Sequence, residues 1–284
     1  MTEFWQLGDV AVRRVGFGTK RLAGADGSNS REQAARLLRR AVELGVNHLD
    51  TAAFYPSVSP EGDSRQFEGL DWANAVVRDA LAPYPDQFVV ATKVGPTRHG
   101  LARPDELPAL VERDLGQETL DLVYLRQTGL TSIAEHFGVL AGLQEKGMIR
   151  HLGLSNVRIP HLEEARQIAP VVAVQNRYGV GFGRVNDAVV SWCGERGIAF
   201  VPFFALAADA REAGGVSQSD TIQDIAQRYD ATPAQVRLAW TLSRGDHVLA
   251  IPGTSSERHL EENLQAADLD LSPADLDLLD SFID

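Results

Sequence analysis

Asp50, Tyr55 and Lys93 are residues whose types and spacing could compose a reaction centre. Asp50 closes the apolar approach VNHLD, Tyr55 follows five residues later in DTAAFY, and Lys93 ends the run FVVATK. A phenol with a reference pKa of about 10 is a poor acid at neutral pH. A neighbouring ammonium favours the tyrosinate and should draw that pKa down. A carboxylate beside the ammonium holds it charged and oriented. Such a trio suits protonation of an oxyanion as hydride arrives at a carbonyl carbon. Each member also has an ordinary reading, Asp50 as the cap of a turn and Lys93 as a cation on an apolar stem.

More polar residues sit at the ends of apolar runs. They are Arg126 in LVYLRQ, Ser155-Asn156 in LGLSN and Gln175-Asn176 in VAVQN, with Phe203-Phe204 closing FVPFF. Taken singly, these are surface ion pairs or turn residues. Taken together, they need an architecture that gathers the ends of many runs on one face.

Eight runs qualify, starting at Val15, Val46, Phe88, Leu120, Arg150, Val171, Ile198 and His247. Helical patterns lie between them: REQAARLLRRAVELG with Gly45 as its stop, DWANAVVRDALAPYP, PDELPALVERDLGQE, TSIAEHFGVLAGLQEKG ending at Gly147, IPHLEEARQIA, DAVVSWCGERG and TPAQVRLAWTLSRG, the last with Thr232 as N-cap and Pro233 at N1. FWQLG and DVAVRRV read as a hairpin about Gly8-Asp9. The pattern predicts one α/β domain over residues 1–284, a (β/α)8 TIM barrel with a short N-terminal β-hairpin, whose chemistry lies at the C-terminal ends of the strands. A doubly wound sheet is the rival, but in VGFGTKRLAG the third glycine is misplaced for a phosphate fingerprint. The segment AADAREAGGVSQSDT, residues 207–221, reads as a long loop after the seventh strand. LEENLQAADLDLSPADLDLLDSFID reads as an acidic, amphipathic helical cover.

The net charge of −12 argues against nucleic acid and against an anionic membrane as partners. No run of about 18 apolar residues is present to span a bilayer. The N-terminal MTEFWQLGDV lacks the apolar core of a signal peptide. The single cysteine, Cys193, permits no intrachain disulfide and fits a cytoplasmic chain in which it packs as a small hydrophobe. The histidines show no metal-ligand spacing, so no metal site is expected. His48, inside a strand, reads as a hydrogen-bonded packing residue.

HLDTAAFY, VVATKVG, HLGLSN, VAVQNRY, FVPFF and AIPGTSSERHLEEN occur in the order, and at about the spacings, found in the aldo-keto reductases, and the chain resembles that family over nearly its whole length. The resemblance implies an NADPH-dependent (NADP+-forming) carbonyl reductase acting on a small molecule, monomeric or weakly homo-oligomeric. It makes Tyr55 the acid, Lys93 its tuner and Asp50 the lysine's partner. It assigns the cofactor to Gly18, Thr19 and Asp50 at the first strands and to Ser155, Asn156 and Gln175 at the carboxamide. Phe203 would stack on the nicotinamide. Gly253, Thr254, Ser255, Arg258, His259, Glu262 and Asn263 would take the adenosine phosphate and adenine. Phe54, Tyr55 and Arg126 would face the substrate, with Trp72 and Phe204 as further candidates; core packing explains Phe54, Trp72 and Phe204 equally.

Two positions depart from the family pattern. Arg126 stands where most members carry histidine; it cannot supply a proton, but it can donate fixed hydrogen bonds to a developing alkoxide. The V-x-L-R run ending at Arg126, the VPFF stretch and IPGTSS near the C-terminus resemble one subgroup of the family closely, the bacterial pyridoxal reductases. Pyridoxal carries a phenolic oxygen next to its aldehyde, and a planar guanidinium could grip both. At the 2′-phosphate, Gly253 replaces a lysine and His259, with Arg258 beside it, aligns with an arginine, while Thr254, Ser255 and Ser256 keep hydroxyl donors. Two readings from other classes stay open at this stage: a nucleotide-binding sensor with little turnover, and a Schiff-base enzyme built on Lys93.

Overall fold

The computed structural model describes residues 3–22, 30–55, 72–97, 99–115, 117–182, 184–203, 205–206 and 220–281. Most of the expected loop at 207–221, and Phe204, lie outside them.

A hairpin comes first, β1 (Phe4–Leu7) antiparallel to β2 (Val10–Arg13), turning where Gly8 has φ +64°. Strands and helices then alternate. β3 (Phe17–Gly18) leads to α1 (Arg31–Glu43) and β4 (His48–Asp50) to α2 (Trp72–Leu81). β5 (Val89–Val94) passes through a ribbon of β6 (Pro96–Thr97) and β7 (Gly100–Leu101) to α3 (Leu107–Arg113). β8 (Leu120–Arg126) leads to α4 (Ala134–Glu145), β9 (Ile149–Ser155) to α5 (Ile159–Arg166), and β10 (Ala173–Gln175) to α6 (Asp187–Gly194). β11 (Ala199–Phe200) precedes α7 (Asp220–Arg228) and α8 (Pro233–Leu242), and α9 (Glu257–Gln265) and α10 (Pro273–Asp280) follow.

Thr232 caps α8 in a capping box with Gln235, and Gly45 and Gly147, both at positive φ, follow α1 and α4 as the sequence indicates. Helix α7 is the element the sequence did not announce. Its buried face holds only Ile222, Ile225 and Ala226, too short a stripe to stand out beside a polar connection.

Seven strands form one parallel sheet in the order β3-β4-β5-β8-β9-β10-β11. Residues 247–252 close it into a barrel. Leu249 N–H donates to Phe200 O (2.9 Å) on one side, and Ala250 N–H donates to Arg14 O (2.8 Å) on the other. These residues are the eighth apolar run of the sequence. Arg14, only 4% exposed, clamps the seam by donating from Nε to Val248 O (3.2 Å) and from Nη2 to Leu242 O (2.5 Å) and Gly245 O (2.7 Å).

The barrel interior is sorted by height. Leu7, Val10 and Val12 of the hairpin pack with Val89, Ala91, Leu122, Tyr124 and Leu249, so the hairpin floors the barrel. Strand alternation then delivers the next inward residues to the upper rim. Two glycines serve this packing. A Cβ on Gly16 would lie 2.3 Å from the His48 ring, and one on Gly18 would lie 2.6 Å from Ile251 O. The G-x-G of VGFGT is therefore a packing feature, in keeping with its weak match to a phosphate loop.

His48 differs from expectation. Its ring is 3% exposed and both nitrogens are buried without a hydrogen-bond partner. Burial pushes its pKa down to about 4, against the pull of Asp50. The unfolded chain binds a proton near pH 6.5 that the folded chain refuses until about pH 4. Stability is therefore lost as pH falls through that window, by roughly 3 kcal/mol from this group. His48→Leu should flatten the fall in denaturation midpoint between pH 7 and pH 4.5; an unchanged slope would exonerate His48.

Candidate active site

The strand ends meet at the upper rim. Asp50 closes β4, Lys93 lies one residue from the end of β5, and Arg126, Ser155 and Gln175 are the last residues of β8, β9 and β10. Lys93 Nζ donates to Asp50 Oδ1 (2.6 Å), to Thr51 O (2.9 Å) and to the Tyr55 hydroxyl (2.8 Å). All three of its N–H groups are engaged, so baring a lone pair for a Schiff base would take a proton out of the contact with Asp50. The Tyr55 hydroxyl in turn donates to Asp50 Oδ1 (3.1 Å), and its ring meets Phe54 edge-on at 5.7 Å.

Burial and then the Asp50 carboxylate hold the Tyr55 phenol well above its ordinary pKa, with Arg126 pulling the other way. The expected lowering by Lys93 does not occur, because the ammonium's charge is matched at 2.6 Å by Asp50 while the hydroxyl itself is out of water. Lys93 is lowered by burial, with Asp50 opposing. The phenol thus holds its proton at neutral pH.

Gln175 Nε2 donates to Asp50 Oδ2 (2.7 Å). A carboxylate only accepts, so the amide oxygen of Gln175 faces away from Asp50. Arg126 Nη1 donates to Ser155 Oγ (3.1 Å), and its guanidinium carbon lies 4.9 Å from the centre of the Phe203 ring. Asn156, at φ +63°, donates its amide to Gln127 O (3.1 Å) and is exposed. A cavity lined by Gly18, Lys20, Asp50, Tyr55, Phe203 and Gly253 opens between these groups. At Gly253 a Cβ would strike Gly18 O at 2.6 Å, so two backbones abut along one wall.

Not every expected residue reaches this cavity. The Thr19 hydroxyl is 1% exposed and bonds inward to Thr51. Thr254 is buried and its Oγ1 accepts from Ser256 N–H (3.1 Å), while Ser255 is exposed. Arg258 and His259 are exposed on α9, bonded to each other (2.9 Å), and Arg258 also pairs with Glu262 (2.7 Å). Glu262 lines a separate groove with Gln235 and Gln265, and Asn263 is buried beside it in the sequence. Trp72 packs against the main core cluster. Cys193 is buried and its thiol is pushed up to about 12, so it is inert.

Two features escaped sequence reading. Lys20 and Arg21 line the cavity, and their only signal was a basic pair just after the first strand end. The second is a buried polar chain behind Asp50 and Lys93. Thr19 Oγ1 donates to Thr51 Oγ1 (2.8 Å), and Thr51 Oγ1 to Asn74 Oδ1 (2.6 Å). Asn74 Nδ2 donates to Asp114 Oδ1, and Thr92 Oγ1 donates to Asp114 Oδ2 (2.5 Å). Each of the five residues is at most 1% exposed.

Comparison with known proteins agrees with this geometry. Residues 14–284 match the model of the aldo/keto reductase family. The chain is 40% identical to pyridoxine 4-dehydrogenase of Escherichia coli K12, covering 96% of each chain. The crystal structure of a thermostable aldo-keto reductase in complex with the inhibitor epalrestat superposes with a TM-score of 0.79 at 26% identity, covering 99% of this chain and 98% of that one. That of an aldo-keto reductase from Klebsiella pneumoniae in complex with NADPH gives 0.78 at 25% identity, covering 99% and 94%.

Proposed function

Since this chain belongs to the aldo/keto reductase family and is an NADPH-dependent carbonyl-reducing oxidoreductase, we propose that its substrate is pyridoxal, reduced at the aldehyde to pyridoxine. The observation that carries the chemistry is the contact of Lys93 Nζ and the Tyr55 hydroxyl at 2.8 Å with Asp50 on both. The residues present fit a dinucleotide. The cavity runs from Tyr55 and Phe203 to the wall of Gly18 and Gly253, and Lys20 and Arg21 add positive charge along it.

Bound NADPH supplies the hydride for the carbonyl carbon. Tyr55 gives its proton to the carbonyl oxygen, Lys93 positions the hydroxyl through its hydrogen bond, and the charge of Arg126 favours the tyrosinate that remains. Asp50 keeps Lys93 charged, and Gln175 fixes the free oxygen of Asp50. Gln175 Oε1 and the Ser155 hydroxyl, whose oxygen already accepts from Arg126, present an acceptor and a donor to the carboxamide. Arg126, held at Ser155 and Phe203, supplies a fixed positive charge for the substrate oxygen.

The 40% identity to a pyridoxine 4-dehydrogenase and the guanidinium at 126 support pyridoxal over a simple aldehyde. The test is the loss of reduced-nicotinamide absorbance with pyridoxal, NADPH and NADH in parallel. Turnover with NADPH is expected, and Arg126→His should lower kcat/KM for pyridoxal about tenfold more than for benzaldehyde, the loss of a bidentate grip. Equal losses on the two aldehydes would remove pyridoxal as the preferred substrate. NADPH binding without turnover of any carbonyl would favour the sensor.

A further inference from the structure

Resting on the reductase reading above, we propose that Asp114 is a positioning residue for the proton donor, acting through Thr51 and Thr92 on the contact between Lys93 and Tyr55. Alternation along β5 puts Thr92 on the face opposite Lys93. Lys93 turns inward to Asp50 at 2.6 Å, so Thr92 turns outward, where its hydroxyl donates to Asp114 Oδ2 (2.5 Å). Thr51, the residue after Asp50, donates its hydroxyl to Asn74 Oδ1 (2.6 Å) in the first turn of α2, and Asn74 donates in turn to Asp114 Oδ1. The chain neighbours of both members of the buried ion pair are therefore tied to the two oxygens of one carboxylate.

Backbone pairing does not supply this tie. The register of β4 on β5 runs from His48 opposite Val89 to Asp50 opposite Ala91, and the last backbone bond of that ladder is Thr51 N–H donating to Ala91 O (2.8 Å). One rung higher, Thr51 O accepts from Lys93 Nζ (2.9 Å). At the level of Lys93, among the described residues, side chains join the two strands. Lys93 reaches Asp50 and Thr51 O on the inner side, and Asn74 and Asp114 link Thr51 to Thr92 on the outer side.

The same Lys93 nitrogen meets the Tyr55 hydroxyl at 2.8 Å. A shift of Thr51 against Thr92 therefore moves Lys93 against Tyr55 and turns the phenolic proton away from the carbonyl oxygen. Misplacement of a reacting group by about 1 Å costs roughly 10²-fold in rate. Cutting the outer tie while the inner contacts remain is expected to cost about tenfold. Cofactor affinity should not follow, because Thr92 and Asp114 lie apart from the residues that line the cavity.

The experiment compares the full-length wild type with Thr92→Val, Thr51→Val and Asp114→Asn. It reads kcat with pyridoxal and with benzaldehyde, the Kd for NADPH by fluorescence, and kcat again in deuterium oxide, all per NADPH-binding molecule. Thr92→Val keeps the shape and deletes one tie. Its kcat should fall about tenfold with the Kd for NADPH within about twofold, and its solvent isotope effect should rise to about two or more as proton delivery becomes limiting. Thr51→Val, which cuts the other tie, should show the same rise. Asp114→Asn, which can still accept from Thr92 and pair with a flipped Asn74, should stay within about threefold of wild type. A merely structural role would lower the amount of active protein and leave the isotope effect of each active molecule unchanged. Either an unchanged isotope effect or a kcat within about threefold of wild type in Thr92→Val would overturn the proposal, as would a loss in Asp114→Asn as deep as in Thr92→Val. Absence of turnover of both aldehydes by wild type would instead bring down the reductase reading, so the two failures are distinct.

Discussion

Tyr55→Phe is expected to lower kcat for carbonyl reduction by about 10³-fold and to leave the Kd for NADPH within twofold. The size follows from the usual worth of a positioned general acid, 10²–10⁴. The change deletes one oxygen and keeps the ring that meets Phe54 at 5.7 Å. Lys93 loses one acceptor but retains Asp50 and Thr51 O, so the ion pair survives. The pH dependence carries a further signature. The acid must be protonated to act, and burial holds the phenol above its ordinary value. Wild-type kcat should therefore persist past pH 9 rather than decline on the titration of a normal tyrosine. Steady-state kinetics from pH 6 to pH 10, with fluorescence binding, read both effects. A loss below tenfold would mean that another group delivers the proton.

Asp114→Ala should cost about 3–4 kcal/mol of stability, and Asp114→Asn no more than about 1 kcal/mol. The contrast comes from donor and acceptor counting. As a carboxylate, Asp114 accepts only, so Asn74 must turn its amide nitrogen toward it. The amide oxygen of Asn74 then requires the Thr51 proton, and Thr51, having spent it, requires the proton of Thr19. Every donor in the chain points toward Asp114, and Thr92 arrives from the other side. Alanine strands the Asn74 amide and the Thr92 hydroxyl in a dry interior, at about 1–3 kcal/mol each with some relaxation. Asparagine can donate to a flipped Asn74 while still accepting from Thr92, so the whole chain reverses with little loss. Urea denaturation of the three proteins compares them directly. Equal costs for the two substitutions would show that charge, and not the direction of the chain, is what position 114 supplies.

The residues at the strand ends were legible because a barrel imposes a rule on them. Strand alternation fixes which residue points inward, and each run in the sequence stops where its chemistry begins, as at Asp50, Lys93, Arg126, Ser155 and Gln175. The Asp114 chain was not legible. Its bonds join residues 22 to 40 positions apart, and in LVERDLGQE the aspartate looks like any solvated charge at the end of a helix. The Tyr55 pKa also defeated the sequence, since its sign depends on whether burial outweighs a nearby cation. His48 was read as hydrogen-bonded because most buried imidazoles are, and only packing against Gly16 reveals the exception. Arg258, expected at the 2′-phosphate, lies in the first turn of α9, and its pairing with Glu262, expected at the adenine, joins two residues that had been assigned separate tasks.

The seam clamped by Arg14 governs the order in which the molecule can assemble. The neighbouring strands β4 and β5, or β8 and β9, are brought together by connections of a few dozen residues. Arg14 and Val248 are 234 positions apart. Loop-closure entropy must be met before such a contact returns anything, and non-local pairing of this kind slows folding. The eighth strand can dock only after β3 and β11 have reached their places on either side of it. Closure of the barrel is then expected late in folding, and the cavity walled by Gly18 and Gly253 exists only once it has happened. Until that moment the chain carries an unsealed sheet with two open edges, which is the state in which it is exposed to mispairing with its own copies.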